Sequence, residues 1–162
     1  MITETIINNQ NNRSIFLGDI ENLAWDTQAK TLTLNSIRSI SQAVNIELQS
    51  FTPLEVLASS HHFAKQIWFG WGRTARRLLG SGPDGADKAL LSLIQKENLH
   101  ERFDTVIIGS GDGIFTNAAT ELIAKGVHVI AAYANGGISK KLQLAVHETI
   151  HLTTYKQQKR VA

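Results

Sequence analysis

Residues 105–113 read Thr105-Val106-Ile107-Ile108-Gly109-Ser110-Gly111-Asp112-Gly113. An uninterrupted β-branched run of this kind is a strand buried on both faces, and the glycine- and aspartate-rich stretch behind it is a turn into a helix. That helix is expected over about 114–125, stopping at Gly126, a residue suited to the left-handed C′ position. A second apolar run, Val127–Ala132, follows at once. Strand, helix and strand in this order predict parallel neighbours in a sheet covered on both sides. The same alternation extends outward. Ser14–Asp19 reads as a first strand, about 36–49 as a helix with Ile37, Ile40, Val44 and Leu48 on one face, and Glu55–Ser59 as a second strand. A short helix over about 61–69, a weaker strand at Ala75–Leu79 and a helix over about 85–99 after Pro83 come next. A helix over about 139–147 precedes a last strand, Thr149–Thr153, while residues 20–34 read as irregular. The expected fold is a doubly wound α/β domain.

The chain has 162 residues, the size of one domain, and no cysteine, which excludes disulfide scaffolds, thiol catalysis and Cys-ligated metals. The start, Met1 to Arg13, has no cationic-then-apolar signal pattern, and no apolar run reaches the length of a membrane span. A cytoplasmic protein is expected, with residues 1–12 and 155–162 as mobile ends. The formal net charge of +2 is too small to argue for nucleic acid by itself. Its distribution is uneven: residues 1–124 hold ten Lys/Arg against thirteen Asp/Glu, and residues 125–162 hold six against one. Arg73, Arg76 and Arg77 form a further basic knot behind Trp68, Phe69 and Trp71. Arginines beside aromatics suit single-stranded RNA, and they suit a core edge or a homodimer contact equally.

Ligands of open α/β sheets bind outside the carboxyl ends of the strands, where the strand order reverses. Two predicted strands end in aspartate there, Asp19 and, after a short turn, Asp112. Asp87 joins them from a helix starting near Asp84, because its neighbours on the same face are Leu90, Leu91 and Ile94. The plain alternative makes Asp84 an N-cap and Asp87 the third-position acid of a capping box. Three converging carboxylates repel, and a hard divalent cation such as Mg²⁺ relieves the repulsion and can supply hydroxide near neutral pH.

These residues also carry a resemblance. Asp19-Ile20-Glu21-Asn22-Leu23 resembles the D-x-E-N-L opening of NYN domains, members of the PIN-like nuclease superfamily. Gly85 to Leu91 resembles their G-x-D-x-A-L motif, and Phe103 to Phe115 their segment ending S-G-D-x-D-F. Lys125 to Val129 and Ile138 to Leu142 are similar to the later G-x-x-V and l-S-x-x-L motifs, so the ordered match spans about Ser14 to Leu152. The resemblance implies a three-layer domain over residues 13–154, with parallel strands in the order 3-2-1-4-5. It implies a metal-dependent, RNA-cleaving centre of Asp19, Asp87 and Asp112 holding Mg²⁺ or Mn²⁺, with Asn22 beside it. Ser110 and the amides of Gly111 and Gly113 would orient the site. The pattern departs at Ile114, which replaces the second acid of the motif, and at His147, which stands where a late aspartate is expected. Thr116 or Asn117 would then serve as a fourth ligand. Segment 21–34 is also longer than the usual run into the next helix. The alternative to a ribonuclease is an eroded PIN-like module that binds RNA or protein without cutting.

Other signals are weaker. His61 and His62 fall at the same sheet edge and suit helix-start surface residues as well as a ligand contact. His128 reads as structural. His147 and His151 have zinc spacing only if one helix carries both, and the strand expected from Thr149 breaks that geometry. Gly109 to Gly113 lacks the last glycine of a dinucleotide fingerprint, and no GxxxxGK[ST] occurs. A haloacid-dehalogenase-like phosphatase would want Asp where Glu21 stands.

Overall fold

The computed structural model describes residues 12–154; the expected tails, apart from Asn12, lie outside them. At the centre is β1 (Ser14–Asp19), six residues buried throughout. It pairs in parallel with β4 (Leu54–Ser60) on one side and β6 (Thr105–Gly109) on the other. Beyond β4 lies β5 (Arg76–Gly80), and beyond β6 come β7 (His128–Tyr133) and β8 (Glu148–His151). The sheet order β5-β4-β1-β6-β7-β8 is the expected five-strand order with a sixth parallel strand added at one edge. Thr149 and Ile150 give β8 its β-branched character, and Leu152 N–H donates to Tyr133 O just past its end.

Alternate residues of each strand enter different cores, as a two-sided sheet requires. Ile15, Leu17, Val56, Ala58, Val106 and Ile108 face α4 (Gly85–Lys96) and α6 (Thr116–Ala124). Phe16, Leu57, Ile107 and Ile130 face α2 (Leu34–Glu47) and α3 (Ala64–Trp71). Phe16 stacks on Trp71, ring centroids 6.4 Å apart, so Trp71 belongs to the core.

Three differences from expectation have local causes. Residues 20–34 are ordered. They form α1 (Ile20–Ala24), whose Ile20, Leu23 and Ala24 are buried, and an antiparallel hairpin of β2 (Trp25–Asp26) and β3 (Thr31–Leu32). Asp26 Oδ1 accepts from Gln28 and Ala29 N–H, an aspartate turn that closes the hairpin. Helix α2 starts at Leu34 because Thr33 and Ser36 make a reciprocal capping box. The helix expected over 85–99 stops at Lys96, and α5 (Leu99–Arg102) is separate, because Asn98 takes a left-handed φ of 46°. The last helix, α7, spans Lys140–Ala145. No described helix is long and apolar enough to cross a membrane.

Candidate functional site

Because the six strands run parallel, they all finish on one edge, and the strand order reverses between β1 and β6. Asp19 is the last residue of β1 and is 4% exposed. Asp87 reaches it from the first turn of α4 and is 6% exposed. The approach depends on two glycines: a Cβ on Gly80, which ends β5, would lie 1.7 Å from the Gly85 carbonyl oxygen that opens α4. The connection turns through Gly82 and Asp84 in left-handed conformations, and the Asp84 side chain makes no capping bond. The capping box considered for Asp84 and Asp87 is therefore not formed, and Asp87 is left to the acidic edge.

Asp19 and Asp87 lie within hydrogen-bonding reach of each other, an arrangement that is favourable only with a proton on one of them. Burial pushes the Asp19 carboxyl up to about 9, and the hydrogen bond and like charge of Asp87 add to the rise; the Asn22 amide, 3.3 Å from Asp19 Oδ1, opposes it. Asp87 is also raised, first by burial; the hydrogen bond with Asp19 opposes the rise, and the charges of Asp112, Asp84 and Glu21 add to it. Asp87 Oδ1 is buried and has no hydrogen-bond partner. An acid raised in the native state keeps a proton that the unfolded chain gives up. Its stabilising contribution is therefore full below about pH 4 and is lost as pH climbs toward 9. In EDTA, urea melts are expected to show stability falling by roughly 1 kcal/mol per pH unit between about pH 5 and 8. Asp19→Asn should flatten that slope.

Asp112 is close enough to act on Asp87 by charge, yet its Oδ1 accepts from Ile114 N–H at 3.0 Å, capping the 3-10 turn Gly113–Phe115. Its own N–H donates to the fully buried Ser110 hydroxyl at 3.1 Å. Among the described residues, no group of three or more acids or histidines is set to hold a metal ion. The structure thus brings Asp19 and Asp87 together and places Asp112 at their rim as a cap. Asn22 ties the two sides, its Oδ1 accepting from Gly111 N–H at 3.1 Å. Thr116 donates its hydroxyl to Gly113 O at 2.7 Å, and Asn117 is exposed on the first turn of α6.

Glu21 was not singled out from the sequence as a site residue. Its carboxylate accepts from the Ser60 N–H at 2.8 Å and from the Ser60 hydroxyl, fixing the end of β4 to α1, and its charge raises both buried aspartates. The signal was its place in the Asp19–Leu23 motif. The arginines fall elsewhere. Arg76 pairs with Val56 in register, four residues before the acidic edge, and its guanidinium holds Glu97 at 2.8 and 2.5 Å. Arg73 grips Glu55 at 2.6 and 2.7 Å, and Arg77 lies 5.4 Å over the Trp68 ring. His147 sits at the amino end of β8, its Nδ1 accepting from Val129 N–H and its ring stacked on His128 at 4.6 Å. His151, at the other end, stacks on Tyr133, so the two histidines share no helix and no ligand position. His61 Nε2 lies 3.1 Å from the Ser81 hydroxyl.

A parallel three-layer α/β domain with buried carboxylates at its switch point is the architecture of the nuclease-type PIN-like class, and a family match places this chain there. The NYN domain family matches residues 17–153, and the chain belongs to that family. A crystal structure of a protein of unknown function from Vibrio parahaemolyticus shares the fold, with a TM-score of 0.63 at 16% identity over 91% of this chain and 97% of that one. No curated protein matches the chain in sequence.

Proposed function

We propose that this chain is a metal-dependent ribonuclease whose centre is Asp19, Asp87 and Asp112, acting on RNA in the cytoplasm. The observation that carries the reading is the buried Asp19–Asp87 pair with its Asp87 Oδ1, a hard oxygen with no hydrogen-bond partner at the sheet's ligand-binding edge. Two such carboxyls fit a hard cation better than they fit each other. Mg²⁺ or Mn²⁺ held by Asp19 and Asp87, with Asp112 as a further ligand, would supply Lewis acidity and an activated water for phosphodiester hydrolysis. The chain's own contribution is placement. Asn22 fixes Asp19 and the Gly111 loop relative to each other, Glu21 anchors the end of β4, and Ser110 holds the Asp112 backbone.

A non-cutting module is the second reading. It is favoured by Ile114, which is 40% exposed where the family motif carries another acid, and by the Asp112 carboxylate capping a turn. Calorimetry with Mn²⁺ and then Mg²⁺, paired with cleavage of an end-labelled single-stranded RNA, separates the two. The ribonuclease reading expects binding by the wild-type chain, weakened at least about tenfold in Asp112→Asn, which by RT ln K is about 1.4 kcal/mol. Cleavage should be lost in parallel. Full-rate cleavage by Asp112→Asn would sink that centre, and RNA binding without turnover would favour the module.

A further inference from the structure

Next to the acidic edge, α1, the β2–β3 hairpin and α2 enclose a cavity of about 280 Å³. Among the described residues its walls include Asn22, Trp25, Asp26, Gln28, Ile40 and Asn135. We infer that this cavity holds one unstacked nucleobase of a single-stranded RNA whose backbone lies across Asp19 and Asp87. This rests on the nuclease reading and names the form of its substrate.

Size is the first argument. At about 280 Å³ the cavity falls just below the range for drug-sized ligand sites, roughly 300–1,000 Å³, which suits one heteroaromatic ring system and not a run of nucleotides. Chemistry is the second. A neutral base has two apolar faces and a polar edge, matching a wall of Trp25 and Ile40 beside amide side chains. Trp25 is 46% exposed, with its ring edge-on to Phe63 at 6.4 Å, so indole surface remains for stacking.

Continuity is the third argument. Asn22 belongs to both places. Its backbone N–H donates to Asp19 and its Oδ1 accepts from Gly111, which leaves its Nδ2 hydrogens to donate to a base edge. Asn22 thus sets the cavity directly beside the carboxylate edge. Inside a duplex the base would be stacked and paired, so the cavity selects an unpaired nucleotide.

The test uses the full chain carrying Asp87→Asn, so that RNA stays intact, and a fluorescent single-stranded oligoribonucleotide containing 2-aminopurine at successive positions. Ser39→Phe, which fills the cavity from α2, and Trp25→Ala, which removes the stacking wall, are the two probes; thermal melts confirm that each folds. The expected result is quenching of 2-aminopurine at one position, loss of that quenching in both variants, and about tenfold weaker binding in each. An abasic nucleotide at that position should weaken the parent protein equally and add nothing in the variants. Unchanged affinity and quenching in both variants would overturn the inference, as would absence of oligomer binding by the parent. Cleavage by the chain with Asp87 intact reports separately on the nuclease. Turnover without any dependence on the cavity leaves the hydrolase and removes the base site, whereas base-dependent binding without turnover does the reverse.

Discussion

Asp87→Asn is expected to destroy RNA hydrolysis and, at the same time, to give a protein that melts at a higher temperature. The loss follows from removing one of two carboxylates proposed to hold the metal, and should amount to at least 10²- to 10³-fold, on the order of the loss when one group stabilising the transition state is removed. The gain follows from the pair's present cost. Asp19 and Asp87 are both buried, and both are held above the ordinary carboxylate range. An asparagine would remove one like charge and present an amide donor to Asp19, replacing a shared proton that is lost as pH rises. The stabilisation should be about 1–3 kcal/mol at pH 8 in EDTA, or roughly 3–10 °C in a domain of this size. Differential scanning calorimetry of both proteins at pH 8, alongside cleavage with Mn²⁺, checks the two halves independently. A variant that melts below the wild type would refute the idea that the acidic pair is a stability cost retained for function.

Gly80→Ala is expected to be the most damaging small substitution outside the hydrophobic core. Its methyl group would lie 1.7 Å from the Gly85 carbonyl oxygen, a backbone atom that no side-chain rotation can move aside. Either β5 leaves its register with β4, in which Gly80 pairs with Ser60, or α4 withdraws from the sheet. Overpacking of this kind costs about 3 kcal/mol, close to 10 °C here. Withdrawal of α4 would also separate Asp87 from Asp19, so the fraction that remains folded should cleave poorly. Thermal melts and activity per folded molecule are the measurements. A normal melting temperature would show that the strand–helix junction is looser than the backbone contact indicates.

How much of this could be read beforehand varied with the kind of signal. Strands Ser14–Asp19 and Thr105–Gly109 were legible to the residue because each is a continuous apolar run stopped by aspartate or glycine. Helix α1 escaped because one turn carries almost no periodicity, and because its cap is Asp19, a residue already read for its chemistry. The hairpin at 25–32 has strands of two residues each, too short for alternation to register. Placement of Asp19, Asp87 and Asp112 on one edge followed from strand direction and helix phase. That Asp19 and Asp87 would be buried against each other while Asp112 capped a turn depends on distances that spacing does not encode. The partners of the arginine knot were illegible for a related reason: Glu55 and Glu97, which hold Arg73 and Arg76, lie 18 and 21 residues away in sequence.

The central position of β1 also bears on how the chain is made. Its neighbours are β4 and β6, and Ser14 meets Thr105 only when two-thirds of the polypeptide exists. During synthesis, which delivers residues from the amino end, the first strand has to wait for partners that emerge much later. Asp19 meets the Asp112 turn on the same schedule. The acidic edge of the proposed ribonuclease is therefore completed only late in synthesis.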